Sequence, residues 1–212
     1  MKSILFKFDD SFEQPVIGTD EAGRGPAAGG VFASAVYFPD KTEKLIEELA
    51  ILNDSKQLSK KKREFLYDII FSNTINETIC IEVDEIEKNN ILNCSLKAMK
   101  LACESVYKKA GLSECLVLVD GNRRIKNFEL EQQFIVKGDS KSASIAAASI
   151  LAKVTRDRYM ERLDSEYPQY GWRNNAGYLT PEHIKAIDKF GTTPYHRQSF
   201  LKKHFEKQLS LF

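Results

Sequence analysis

Three short apolar segments of this chain each run into carboxylates, and no other sequence feature constrains the fold as much. PVIGTDE ends in Asp20-Glu21, CLVLVD in Asp120 and QFIVKGD in Asp139. Each reads as a strand, and CLVLVD is a continuous apolar run of the kind that is buried on both faces. In sheets covered by helices, functional residues gather at strand ends, where a rigid scaffold carries the loops. Three strands ending alike therefore predict a carboxylate cluster at one edge of a sheet. For any one of these acids alone, a cap or turn role is the simpler reading.

The other segments fit such a sheet. VFASAVYF (31–38) and the alternating TICIEV (78–83) read as strands. Helices are expected over 42–50, over 59–72 behind a Ser59 cap, over 91–109 and over 142–164. Another opens at Thr180-Pro181, with Thr as cap and Pro at the first position, and the stretch 198–209 reads as helical. The face expected to be buried on the 91–109 helix carries Leu92, Leu96, Met99, Cys103 and Val106. The order is not a clean βαβ alternation, and the two strands between 15 and 38 are close enough to pair antiparallel. The expected fold class is α/β, with a mixed central sheet flanked by helices and a helical C-terminal region. No repeat or low-complexity linker divides the chain. One domain is expected over 1–200, followed by a helix and tail over 201–212.

Composition excludes several classes. The chain has 212 residues, 42% hydrophobic and 29% charged, which is ordinary globular composition. The longest stretch without a charge, between Arg24 and Asp40, is too short and too rich in Gly and Pro to cross a bilayer. The N-terminus has no sustained apolar stretch, so a secretory signal is not expected and the location expected is cytoplasmic. Cys80, Cys94, Cys103 and Cys115 form no C-x-x-C pair and read as free thiols in a reducing compartment. Charge is uneven: residues 137–212 carry 13 Lys+Arg against 8 Asp+Glu, a net +5, within a chain of net +1. The remaining residues are therefore −4. A basic third beside a more acidic body suits a nucleic-acid partner, although a solvated, unevenly charged surface reads the same way.

Four acids brought together repel one another unless a cation lies among them. Hard divalent ions prefer carboxylate oxygens, and the lack of accompanying His or Cys favours Mg2+ or Mn2+ over zinc. Carboxylate-held metals serve phosphoryl transfer. The segment Gly23 to Ala28 formally fits the dinucleotide fingerprint G-x-G-x-x-A. That reading fails because a strand follows instead of a helix, and Asp20 and Glu21 would repel a phosphate. Glycines beside an acidic site can instead admit a substrate close to the backbone.

The motifs G-T-D-E-A-G-R-G-P, D-S-K-Q-L-S, V-D-G-N, K-G-D-S-K, A-A-S-I-L-A-K-V-T-R-D and P-Y-H-R-Q-S-F occur in that order. In these the chain resembles the bacterial ribonucleases HII, over about residues 15–200. The related ribonucleases HIII carry an extra N-terminal domain for which the residues before the first motif leave little room. The resemblance implies an RNase H-like fold and a metal-dependent endonuclease acting on RNA–DNA hybrids and on single ribonucleotides in duplex DNA. It implies cleavage on the 5′ side of the ribonucleotide, leaving 3′-OH and 5′-phosphate ends, as in ribonucleotide excision repair. Asp20, Glu21, Asp120 and Asp139 match the family's catalytic, metal-holding acids, with Mg2+ or Mn2+ as cofactor. Gly23, Arg24 and Gly25 match the G-R-G motif that contacts the 2′-OH, the group that tells RNA from DNA. Tyr178 matches the tyrosine that stacks on the sugar following the ribonucleotide. Lys56, Lys141, Lys153 and Arg156 are candidate phosphate contacts or supports, and His196 is read as packing. Two positions depart from the family pattern. Gly30 stands where many relatives have Pro, and Ala176 stands where a basic residue often precedes Gly-Tyr.

The last five residues, Gln208-Leu209-Ser210-Leu211-Phe212, resemble the peptide by which bacterial repair proteins dock on the sliding clamp. Gln208, Leu209, Leu211 and Phe212 would be its anchors; a frayed helix end folded onto the body is the plainer reading. A monomer is expected. The alternative to an enzyme is a catalytically silent nucleic-acid or clamp-binding module on the same scaffold.

Overall fold

A computed structural model of the chain describes residues 4–52 and 58–202. Its centre is a five-stranded sheet in the order β3-β2-β1-β4-β5. The strands are β1 (Val16–Ala22), β2 (Val31–Tyr37), β3 (Ile75–Ile81), β4 (Leu116–Asp120) and β5 (Glu131–Ile135). β1 pairs antiparallel with β2 and parallel with β4, and β4 pairs parallel with β5. The sheet is mixed, as the adjacent strands at 15–38 predict.

The helices are α1 (Ile4–Asp9), α2 (Glu43–Glu48), α3 (Lys60–Asn73), α4 (Val83–Asn89), α5 (Ile91–Ala110), α6 (Ala143–Glu166), α7 (Trp172–Asn175) and α8 (Pro181–Phe190). The caps expected at Ser59 and Thr180 each accept from a backbone N–H of the first turn, and Ser142, expected within the helix, caps α6 in the same way. On one side of the sheet, α5 buries Cys94, Ala98, Met99, Ala102, Cys103 and Val106 against β1, β2 and β3. Leu92 and Leu96 of the expected stripe are only half-buried, because smaller Ala and Cys side chains let the helix sit closer. On the other side lies α6, whose residues Ala143 to Ala152 are all buried, with α1, α2 and α3 packed behind it.

The approach of α6 to β1 is set by Gly18. A Cβ there would fall inside contact distance of the main chain of Ser144 and Ile145. Asp9 at the end of α1 accepts from the Ser144 N–H at 2.8 Å, so an acid satisfies the start of α6. The second half of α6 carries a separate cluster around buried Trp172, with Tyr170, Met160 and Ile187.

Two expectations need correction. The strand leading to Asp139 ends at Ile135, and Asp139 lies in a 3₁₀ turn, Gly138–Ser140, entered through Lys137 at φ 55°. β5 is an edge strand, and Phe134 is 45% exposed, so its apolar residues do not mark a buried run. TICIEV does not end as a strand either, since Val83 already begins α4. The four cysteines are free thiols, three of them buried. No helix among the described residues is long and apolar enough to cross a membrane.

Gly18→Ala is expected to cost about 3 kcal/mol, because main chain rather than a flexible side chain must give way. In thermal unfolding, Tm should fall by about 6–12 °C for a domain of this size. An unchanged Tm would show that α6 can move away freely.

Candidate active site

β1 and β4 run parallel, with Thr19 level with Val119, so Asp20 and Asp120 emerge at the same height on neighbouring strands. Asp20 is 6% exposed. Its carboxyl accepts from the Ser149 side chain of α6 and, at 2.7 Å, from the Glu21 N–H. Burial, and then the charges of Glu21 and Asp120, push the Asp20 carboxyl well above the usual carboxylate range. Asp120 accepts from the Gly138 N–H at 2.7 Å, which ties the turn carrying Asp139 to the end of β4. Glu21 is paired with Arg24 at 3.2 Å. Three acids are thus in electrostatic contact, and the fourth lies in a turn anchored to one of them. Among the described residues, no three His, Cys, Asp or Glu side chains are already drawn together as a metal-holding group. The donor set still fits a hard divalent cation, since it consists of carboxylates with one buried between two like charges.

Beside the acids, the β1–β2 connection and the Tyr178 segment wall a cleft of about 440 Å³. Glu21, Gly23, Arg24, Gly25, Lys153 and Tyr178 line it; Asp20, Asp120 and Asp139 do not. Gly23 has φ 98°, open to glycine at little cost, and a Cβ there would collide with Arg156. A Cβ on Gly25 would stand 3.2 Å from the Tyr178 ring, so that ring lies against the loop. Tyr178 is 52% exposed, leaving much of its ring free to meet a ligand.

The loop is built from distant parts of the chain. Ala27 donates to the Gly177 carbonyl at 2.9 Å, Gly29 to that of Tyr195 at 2.8 Å, and Arg197 through its main chain to that of Ala27 at 2.8 Å. The Arg197 guanidinium donates to the Gly29 carbonyl at 2.6 and 2.9 Å and to that of Arg24 at 3.4 Å. Burial and the neighbouring Arg156 charge lower its pKa to about 10. Below the loop, His183 donates from Nδ1 to the Tyr178 carbonyl at 2.9 Å. Its Nε2 then accepts from Trp172 Nε1 at 3.0 Å and from His196 Nε2 at 3.1 Å. His196 Nδ1 in turn accepts from the Thr193 N–H at 2.9 Å. This pattern assigns both rings as neutral.

The remaining sequence candidates divide. Lys153 lines the cleft and is tied to Asp157 at 2.5 Å. Arg156 borders the cleft but is 2% exposed, and each of its three nitrogens donates to a carbonyl, so it serves as a support of the wall. Lys141 follows the Asp139 turn on the surface, outside the cleft. Lys56 lies outside the described residues, as do Gln208, Leu209, Leu211 and Phe212. Sequence reasoning missed Arg63, which lines the cleft from α3, and gave Ser149 and Arg197 no individual role. Arg63 sits in the basic run Lys60 to Arg63, where charge alone does not separate a half-buried end from solvated neighbours.

A family model described as Ribonuclease HII matches residues 17–208. A ribonuclease HII of Fusobacterium nucleatum is 48% identical over 98% of this chain and 95% of its own. The ribonuclease H2 structure from Pyrococcus horikoshii aligns with TM-score 0.70 and 28% identity, covering 91% of this chain and 97% of that one. Two structures below 25% identity share the fold. A ribonuclease HII from Archaeoglobus fulgidus, solved in a complex with PCNA, has TM-score 0.68 and 23% identity, covering 86% of this chain and 93% of that one. Bst-RNase HIII in complex with Mn2+ has TM-score 0.65 and 17% identity, covering 88% and 64%.

His196 supplies a pH test. Burial and the neighbouring His183 push its pKa down to about 4. An unfolded histidine takes a proton near pH 6.5, so the unfolded state binds more protons between these values. Stability from this residue is therefore complete above about pH 6.5 and lost as pH falls toward 4. Asp9 and Asp20, both raised, act in the opposite sense. Melting curves between pH 6.5 and 4.5 should show a larger loss of Tm in the wild type than in His196→Gln. Equal losses would mean that His196 does not titrate as its burial requires.

Proposed function

The chain belongs to the ribonuclease HII family, and we propose that it is an endonuclease that cuts on the 5′ side of ribonucleotides embedded in duplex DNA. The products are 3′-OH and 5′-phosphate ends, and the substrates include RNA–DNA hybrids and single misincorporated ribonucleotides. The observation that carries this reading is the contact between Asp20, Glu21 and Asp120 beside a cleft walled by Gly23–Gly25 and Tyr178.

In this reading, main-chain groups of Gly23 to Gly25 hydrogen-bond the 2′-OH, at a loop without side chains in the way at either glycine. The exposed face of Tyr178 stacks on the sugar of the following deoxynucleotide, so loop and ring together read an RNA-to-DNA step. Lys153 lies in the cleft to meet the phosphate near the acids, and Lys56 is assigned the same role. Lys141, with exposed Arg123, Arg124 and Lys137 on the two loops joined by the Gly121–Ile135 hydrogen bond, holds phosphates further along the backbone. Asp20, Glu21, Asp120 and Asp139 are the residues that would hold Mg2+ or Mn2+. When bound, such an ion supplies Lewis acidity at the phosphodiester and lowers the pKa of the attacking water. Asp139, on a turn and only half-buried, is assigned the role of orienting that water and accepting its proton. The Mn2+ of the ribonuclease HIII structure supports the choice of cofactor.

The C-terminal peptide 208–212 is assigned to docking on a bacterial sliding clamp, with the enzyme itself a cytoplasmic monomer. The archaeal relative bound to PCNA supports a clamp as a partner of this fold.

The direct test is cleavage of a labelled duplex containing one ribonucleotide, in Mg2+, Mn2+ or EDTA, beside an all-DNA control. A metal-dependent cut 5′ of the ribonucleotide is expected. Asp20→Asn should abolish it while raising Tm, because the substitution keeps the shape and removes one of three repelling charges. Binding without any cut by the wild type would favour the silent module instead.

A clamp pull-down provides a separate check. Deleting residues 208–212 should remove clamp binding and leave cleavage of a short duplex unchanged. Retained binding would place the contact elsewhere.

A further inference from the structure

We propose that Arg156 is the positioning residue that fixes the distance between the G-R-G loop and Tyr178, and through that distance sets the selectivity for an RNA-to-DNA step. This inference rests on the junction-reading roles proposed for the loop and the tyrosine.

The guanidinium of Arg156 has three hydrogen bonds, and they go to two separate parts of the chain. Nε donates to the Gly30 carbonyl at 3.3 Å and one terminal nitrogen to the Ala28 carbonyl at 3.0 Å, both on the β1–β2 connection. The other terminal nitrogen donates to the Ala176 carbonyl at 3.0 Å, two residues before Tyr178. The guanidinium is planar and stiff, so three carbonyls on its edges are held at fixed separations. Among the described residues, Arg197, the other buried guanidinium, donates only to the β1–β2 connection.

The two segments are also packed closely around Arg156. Its stem and Nε fill the volume that a side chain on Gly23 would need. A Cβ on Gly177 would stand 2.5 Å from the Ala28 carbonyl oxygen, so the Tyr178 segment is seated against the loop main chain. The Ala27–Gly177 hydrogen bond closes the same seam. Ala176 itself has φ 49°, a left-handed conformation uncommon for alanine, which turns its carbonyl toward Arg156. A lysine at 156 would keep the charge but could not span three carbonyls from one point, leaving at least one unpaired.

The experiment is a double-mutant cycle on the duplex with a single ribonucleotide, using Arg156→Lys, Tyr178→Ala and the pair. Losing a base- or sugar-stacking aromatic is worth about 10-fold or more, so Tyr178→Ala should lower kcat/KM by about that factor in the wild-type background. Arg156→Lys should do the same. Because a displaced Tyr178 has little left to lose, the pair should fall no more than about 3-fold below the worse single variant, which is a strong coupling. Effects that multiply would show that Arg156 acts independently of Tyr178 and would overturn the inference, as would a Tyr178→Ala enzyme with wild-type rates. A purely structural role lowers the rates without this coupling. If Arg156→Lys does not melt cooperatively, Gly177→Ala takes its place, because it forces the same two segments apart without altering charge. If the wild type binds the ribonucleotide duplex without cutting it, the cycle is read on Kd. A wild type that neither cuts nor prefers the ribonucleotide overturns the junction reading itself, a result distinct from multiplicative effects in an active enzyme.

Discussion

The direct seating of α6 on β1 is the contact on which the rest of the molecule depends. Gly18 meets the main chain at Ser144 and Ile145, Asp20 meets Ser149, and Gly23 meets Arg156. The two elements advance together. From Ser149 to Arg156 an α-helix rises about 10.5 Å, and three residues of strand cover about 10 Å. Because strand and helix keep pace, one helix face supplies a support for the sheet, a partner for a buried acid and an anchor for a loop. The Ala- and Ser-rich first turns of α6 let it come this close, and larger residues there would lift every later contact off the strand.

Two kinds of buried charge face each other across this site, and they are treated differently. The acids at the strand ends are left in mutual repulsion, which disfavours the ionised form of Asp20. The guanidiniums of Arg156 and Arg197 are instead satisfied by main-chain carbonyls. The first arrangement is a cost that a bound cation would offset, and it is the kind of local instability expected where chemistry is performed. The second is structural, and it keeps a glycine-rich loop in one shape although its sequence would permit many.

Much of the site was legible because its acids follow apolar runs, and strand periodicity can be read locally. Asp20, Glu21 and Asp120 fall at or near strand ends as the pattern predicts. Asp139 is singled out in the sequence for a partly mistaken reason, since apolar Phe134 and Val136 face solvent at a sheet edge and the strand stops at Ile135. Helix α5 carried the right period, yet its small residues proved more buried than its leucines, because volume rather than hydropathy decided which face could approach. Arg156 and Arg197 were not legible as loop supports. Nothing near either residue in sequence reveals that carbonyls more than a hundred positions away are among its partners.

That separation in sequence has a consequence for the order in which the molecule can be completed. Gly29 and Arg197 are 168 residues apart, yet the first is held by the second, and the intervening chain includes every strand after the loop and most helices. During synthesis from the N-terminus, the sheet and α6 can assemble while the loop after β1 still lacks its far support. The cleft wall therefore reaches its final shape only when the segment carrying Arg197 arrives to close it. A nascent polypeptide of this fold passes most of its synthesis with that wall unfinished.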